Sequence, residues 1–358
     1  MAQGGDSEEP TRESPAAGGP AGQAATSSRR RLVWWGAALA ALLVLGTGGA
    51  VVVGQALRSR YDVPNADLFG TPAAPGAAAP SPTAPPSPTT PPGAGIKGPL
   101  NILLVGVDTR AHVPSWRPNA DAVMILHVPR SLDRAYLFSL PRDLRVNVPA
   151  FQPSGYGGGR TKLTHAMSYG SRKPGGGKPD AAQGFQLLAR TVSSYTGITR
   201  FDAGAVLDFG GFNRLVDAVG GVDVYIDQQI VSRHRQPDGR PRPLVGGNYT
   251  GPQMVYNVGV RHLNGWQALD VARQRYITDG DYARQRHQQQ LIKALVKQVM
   301  SRGVATDPAR LDQVLRAIGK TLVFDGRGRR VIDFAYALRN VRPESITLVG
   351  LPGSSVIR

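Results

Sequence analysis

The chain has 358 residues, 42 Lys and Arg against 25 Asp and Glu, a formal net charge of +17 and no cysteine. That length allows one large domain or two small ones, and the missing cysteines exclude disulfides and thiolate metal sites. The charge suits phosphorylated substrates, anionic lipid or nucleic acid without choosing among them.

Residues 1–31 begin Gly-, Ala-, Ser- and acid-rich, without periodicity, and predict a disordered tail. Arg29-Arg30-Arg31 then abuts an apolar run over 32–54, long enough to cross a bilayer as a helix. Trp34 and Trp35 stand where an interfacial belt would place them. The arginine triplet predicts a single-pass anchor with a cytoplasmic N-terminus. Arg58 and Arg60 weaken that asymmetry, and a cleaved signal peptide is the alternative. Residues 55–98, rich in Pro, Ala and Thr, predict an extracytoplasmic spacer that holds the next domain off the membrane.

The folded domain is expected over 99–303, completed by helices and a strand in 304–358. Asn101 to Val107 is a buried-strand run ending at Asp108-Thr109-Arg110. Asp121 to Val128 is a second strand, and Ala135 to Leu140 a third ending at Pro141-Arg142-Asp143. Ligands of open α/β sheets collect at strand ends, though a single Asp there is as often a turn residue. Phe151 to Asp180 reads mostly as loop; Gly175-Gly176-Gly177-Lys178 is followed by Pro and follows no strand, so it is not a P-loop. Ala181 to Thr196 is an amphipathic helix with Phe185, Leu188, Val192 and Tyr195 inward. Ala203–Asp208 and Val222–Ile226 are strands around a helix over 212–219. Ser232 to Asn248 is a polar Pro/Gly loop, and Asn264 caps a helix over 266–272. Later helices span 311–318 and 331–338, and 346–351 is a last strand. No internal repeat is visible.

The most informative stretch is Val271 to Gln290. Arg273 and Arg275 sit two apart, an Asp279-Gly280-Asp281 turn follows, and then a helix carries Arg284, Arg286, His287 and Gln288. Its apolar stripe, Leu291, Ile292, Leu295, Val296 and Val299, counts back by threes and fours to Gln288 and Arg284. Arg286 falls off that stripe. A buried arginine near a helix N-terminus calls for an anion, since burial and the macrodipole both disfavour it alone. A solvated basic face is the bland alternative.

In order, NILLVGVDTR, DAVMILHV, SLPRDL, TKLTHAMSYG, LDFGGFNRLVDAVGGVDV and HLNGWQALDVARQRYITDGDYARQRHQQQ resemble the LytR-CpsA-Psr family of membrane-anchored cell-wall glycopolymer ligases. The likeness implies an α/β domain with a mixed central sheet flanked by helices and a pocket for a polyprenyl chain. It implies transfer of a glycosyl phosphate from a polyprenyl-pyrophosphate-linked glycopolymer to a hydroxyl, commonly on peptidoglycan, assisted by Mg²⁺. By motif, Asp108 and Asp121 would hold the metal. Arg110, Arg142, Lys162, Arg273, Arg275, Arg284 and Gln288 would bind the pyrophosphate. Asp108, Arg142 and Arg275 would be catalytic, with Asp281 as a candidate proton acceptor. Two positions depart from the family pattern: Asn119 stands where many members have Arg, two residues before the second aspartate, and His287 stands where many have Arg before the glutamine. Both departures are expected to alter head-group affinity or polymer preference. The chain to Arg358 leaves no room for the extra C-terminal domain of some members. Two other readings are a pyrophosphatase that only hydrolyses the lipid diphosphate and a membrane-bound transcriptional regulator. No recognition-helix pattern with a basic face appears, so nucleic acid is not an expected partner.

Overall fold

Strand β1 (Leu100–Asp108) is apolar on both faces, the pattern of a strand covered on both sides. It lies at the centre of a six-stranded sheet with β2 (Asn119–Val128), β3 (Ala135–Leu140), β6 (Ala203–Asp208), β9 (Leu322–Asp325) and β10 (Ile346–Gly350). The order is β9-β6-β1-β2-β3-β10. β1 is antiparallel to β2 and parallel to β6, and β10 is parallel to β3, so the sheet is mixed. This computed structural model describes residues 67–70, 93–109, 113, 115–304 and 307–351. The expected tail and membrane span, the Pro-rich run 71–92 and Arg110 lie outside the described residues. Among the described residues, no helix is long and apolar enough to cross a membrane. All of them belong to one compact unit, residues 60–358.

The two sheet faces are covered differently. On one, α1 (Leu163–Gly170) and α2 (Ala181–Thr196) lay Met167, Phe185, Leu188 and Val192 against Leu103, Val105, Val107 and Val123. Gly184 permits that approach, because a Cβ there would fall 2.6 Å from the Met167 carbonyl oxygen. On the other face, α5 (Gly280–Ser301) and α7 (Val331–Ala337) bring Ile292, Val296, Phe334 and Ala337 over Ile102, Met124 and Leu137. Beside α5, α3 (Phe209–Ala218), α4 (Gly265–Arg273) and the hairpin of β7 (Val222–Ile226) with β8 (Gly259–Leu263) close a third cluster around Val216, Val224 and Val271. The α6 helix (Pro308–Ile318) packs through Val314 and Ile318 on Val219.

Several expectations need correction. Leu68 is fully buried in the α2-side core, its amide donates to Asp325 Oδ2 (3.0 Å), and Phe69 meets Phe185 edge-on at 5.6 Å. The stretch 55–98 is therefore not a free spacer throughout; an apolar Leu-Phe pair seats itself wherever it finds a core. Tyr195 is 49% exposed rather than inward. The stretch read as loop after Phe151 contains β5 (Gly159–Lys162), paired with β4 (Arg145–Val148), and all of α1. The 232–248 loop also holds a short hairpin.

Candidate functional site

The site begins with an irregularity in β2. Gly106 pairs with Ala122 and Val107 with Ala120, so Asp121 is an extra residue in a β-bulge. The bulge lets Ala120 stay in the α2-side core while Asp121, Ala122 and Met124 line the other face. Asp108, two residues beyond Gly106 on β1, reaches that same face, opposite Asn119.

That face is the floor of a cavity of about 480 Å³. Small side chains at Gly106, Ala122 and Ala205 leave room between sheet and helices, and Leu104, Met124, Leu207, Phe212, Leu291 and Ile292 make it apolar. The opposite end is polar, with Arg142, Arg233, His234, Arg273, Arg275, Arg284 and Gln288 beside Asp108 and Asp121. Five arginines face two carboxylates, which leaves the mouth a net anion acceptor.

Each basic group arrives by a local rule. Helix α5 presents Arg284, Gln288, Leu291 and Ile292 at i, i+4, i+7 and i+8, as the spacing predicts. Arg284 is 3% exposed; its Nε and Nη2 have no hydrogen-bond partner within the described residues, although Asp281 Oδ1 lies 2.7 Å from Nη2. Burial lowers its proton affinity, Asp281 opposes that, and Arg142 adds to it. Arg142, at the end of β3, ion-pairs Asp121 and leaves its Nε buried without a hydrogen bond. These orphaned donors fit an anion better than a solvated basic face.

Helix α4 starts on an Asn264–Gln267 capping box and ends at Arg273, where Gln274 turns extended (φ −70°, ψ 131°). The extended step places Arg273 and Arg275 on one side and buries Gln274 between them. Arg273 stacks on Phe209, its guanidinium carbon 4.8 Å from the ring centre. Gln274 Nε2 donates to Asp270 Oδ1 (2.8 Å), as does Ser232 Oγ (3.0 Å), and Gln274 Oε1 accepts from the Arg233 amide (3.2 Å). This buried knot ties the Arg233–His234 segment to the Arg273–Arg275 segment. Burial pushes the Asp270 carboxyl up, against its hydrogen bonds from Ser232 and Tyr256. His234 is driven down to about 4, by burial first and then by Arg273, Arg233, Arg235 and Arg275.

The structure does not bring every expected residue to the cavity. Lys162 pairs with Asp143 (2.9 Å) and does not line it. Burial opposes ionisation of Asp143, yet Lys162, Arg142 and Arg284 hold its carboxyl below the usual range. Asp281, in the first turn of α5, contacts Arg284 and does not line the cavity. His287, one of the two departures, is fully buried on another side of α5 with Nε2 3.0 Å from Asp227 Oδ1, so it offers no head-group contact. Arg286 shares Asp227 (3.0 Å) and is also off the cavity. Sequence reasoning missed Arg233, His234, Tyr249 and Tyr276, all on the cavity rim. The arginine density of 233–242 was the available signal, and it reads equally as a solvated loop.

With this geometry, comparison with known proteins is specific. A profile of the LytR_cpsA_psr family matches residues 83–358. The chain is 28% identical over 291 residues to the cell wall biosynthesis protein LcpA of Corynebacterium glutamicum, covering 72% of this chain and 51% of LcpA. The chain thus spans about half the length of that relative. It is 27% identical over 261 residues to the polyisoprenyl-teichoic acid–peptidoglycan teichoic acid transferase TagU of Enterococcus faecalis, covering 71% and 72% of the two chains. The crystal structure of B. subtilis TagV aligns with a TM-score of 0.53 at 23% identity, over 73% of this chain and 87% of that one, a likeness of fold.

Proposed function

Because the chain belongs to the LytR_cpsA_psr family, we propose that it is a phosphotransferase moving a glycosyl phosphate from a polyprenyl-pyrophosphate carrier to a cell-wall hydroxyl such as one on peptidoglycan. One observation carries the reading: a single cavity joins an apolar floor to a mouth with five arginines, two of them holding buried donors without hydrogen bonds. An amphipathic diphosphate has that division of chemistry. The names of the relatives LcpA and TagU, a cell wall biosynthesis protein and a teichoic acid transferase, support the same reaction class.

In this reading the apolar floor takes the first isoprene units. Arg142, Arg233, Arg273, Arg275 and Arg284 hold the pyrophosphate through their planar donor forks. The acceptor oxygen attacks the sugar-side phosphorus. A new P–O bond forms, the bond from that phosphorus to the bridging oxygen breaks, and polyprenyl phosphate leaves with the bridging oxygen. The acceptor proton departs to solvent at the mouth, where Arg275 and Tyr276 are exposed. The arginines neutralise charge and fix the geometry, which is most of what phosphoryl transfer requires.

Asp108 and Asp121 fit a Mg²⁺ ion. Both line the cavity, and Mg²⁺ takes one or two carboxylates completed by phosphate oxygens and water. Among the described residues no cluster of three or more His, Asp or Glu is placed to hold a metal. Bound there, Mg²⁺ would neutralise phosphoryl oxygens. Anchoring by residues 32–54 with the domain outside the cytoplasm belongs to the same proposal. Protease added to intact wall-stripped cells should digest the domain, and protection until lysis would refute that topology.

The test is incubation of the full chain with a lipid-pyrophosphate-linked sugar, Mg²⁺ and peptidoglycan fragments, followed by mass spectrometry. The expected products are a fragment heavier by one glycosyl phosphate and free polyprenyl phosphate. Free glycosyl phosphate alone would replace transfer with hydrolysis.

A further inference from the structure

The exposed large hydrophobic residues of the described chain are unevenly placed. All but Tyr195 fall between Tyr225 and Tyr276. Several are cross-strand neighbours: Tyr225 with Val260, Val231 with Val255, and Leu244 beside Tyr249. Scattered apolar residues need no explanation, but a concentration in one segment does.

The sharpest feature is the hairpin Leu244–Tyr249. Gly246 and Gly247 carry φ of 56° and 83°, the two positive values of a type I′ turn, so the tip is a tight turn rather than a loose loop. Leu244 and Val245 are 60% and 63% exposed at that tip, and no charge interrupts Pro243 to Thr250. The segment leading into it carries Arg233, Arg235, Arg240 and Arg242, with Asp238, which pairs with Arg240 (3.3 Å), as the only acid between them. Arg242 fixes the hairpin by donating to the carbonyls of Arg233 (2.9 Å) and Tyr249 (3.2 Å). The hairpin continues the cavity rim, because Tyr249 lines the cavity and Arg233 lies 5.8 Å over its ring.

We propose that this hairpin is a membrane-docking element that inserts Leu244 and Val245 among anionic phospholipids while its arginines lie at the headgroups. An apolar tip flanked by a basic segment is the pattern of an interfacial anchor, and basic groups near an anionic surface add electrostatic attraction to it. Tyr249 and Tyr276, on the rim of the cavity mouth, suit the headgroup level. Docked this way, the mouth meets the bilayer surface, so a lipid diphosphate passes from bilayer to arginines without exposing its tail to water. That consequence rests on the proposed function, but the docking does not.

The chain has no cysteine, so single cysteines report cleanly. Full-length Leu244→Cys and Val245→Cys carry an environment-sensitive dye and are reconstituted into phosphatidylglycerol vesicles without substrate. Lys178→Cys, in the loop between the helices of the opposite sheet face, is the reference. Both tip dyes should shift to the blue, brighten about twofold or more, and be quenched by spin-labelled lipid, while the reference stays unchanged. Arg240→Glu should weaken the response, as should roughly 0.5 M salt. Tip dyes indistinguishable from the reference would overturn the proposal. So would a response to soluble peptidoglycan fragments with none to lipid, which would assign the hairpin to the acceptor. Since no substrate is present, either failure leaves the transfer reading intact.

Discussion

Arg284 Nη2 lies 2.7 Å from Asp281 Oδ1, one turn away on α5, yet the contact lacks the alignment of a hydrogen bond, and the guanidinium is otherwise enclosed. The carboxylate favours the charged form of the arginine against its burial and leaves donors free for a ligand. On this geometry we propose Asp281 as a positioning residue for Arg284. Arg284→Ala should lower turnover about a hundredfold or more, on the scale of a lost charged transition-state donor. Asp281→Asn should cost no more than about tenfold. Steady-state kinetics across pH on the two folded variants decide it: loss of the acidic limb of the pH–rate profile in Asp281→Asn would return Asp281 to the role of proton acceptor.

Arg275 and Arg286 make a matched pair. Arg275 lines the cavity mouth, whereas Arg286 binds Asp227 away from it. Arg275→Ala should reduce turnover by about a hundredfold, and Arg275→Lys should recover only part, because lysine lacks the donor fork. Arg286→Ala should keep near-normal turnover and lose less than about 1 kcal/mol of stability, the usual scale for an exposed pair. Comparable activity losses in both would show that α5 is rotated from the register described.

The bulge at Asp121 makes the metal reading testable apart from activity. Asp108→Asn and Asp121→Asn should weaken Mg²⁺ binding measured calorimetrically in the presence of a prenyl pyrophosphate, with the fold retained by circular dichroism. Asp121→Asn should also release Arg142, its ion-pair partner, and so alter the metal-free affinity for the diphosphate. Wild-type turnover that persists in excess chelator would rule the metal out.

His234 gives a signed pH dependence. An unfolded histidine titrates near 6.5, and the folded one is held at about 4 by burial and four arginines. Between these values the unfolded chain carries a proton that the folded chain lacks, so stability rises with pH across the window and is lost as pH falls through it. After solvent screening at this partly exposed ring, the effect should be on the order of 1–2 kcal/mol. Urea unfolding at both ends of the window measures it, and His234→Gln should flatten the dependence. An unchanged slope in that variant would assign the dependence to other groups.

The central strands, α2 and the helical register of Arg284 and Gln288 were legible in the sequence because periodicity and burial act there together. The Arg273–Arg275 geometry was legible because two residues apart in an extended segment share a side. What stayed hidden depends on contacts across the chain. Nothing local marks Leu68 as core, since its site is built by Phe185 and Asp325. Nothing local tells Arg233 from Arg240, because the Asp270–Gln274 knot that draws the first to the cavity joins residues about forty positions apart. The bulge at Asp121 was equally hidden, as register belongs to the strand pair and not to one strand.

In the proposed function one cavity binds a diphosphate and its apolar tail together. The most direct measurement is the calorimetric affinity of the full chain for inorganic pyrophosphate and for prenyl pyrophosphates of increasing length. Affinity should rise several-fold with each of the first isoprene units as apolar surface leaves water, then level off when the roughly 480 Å³ cavity is filled. The matching prenyl alcohols should bind far more weakly. Equal affinity for inorganic pyrophosphate and the longest prenyl chain would show that the apolar floor holds no lipid.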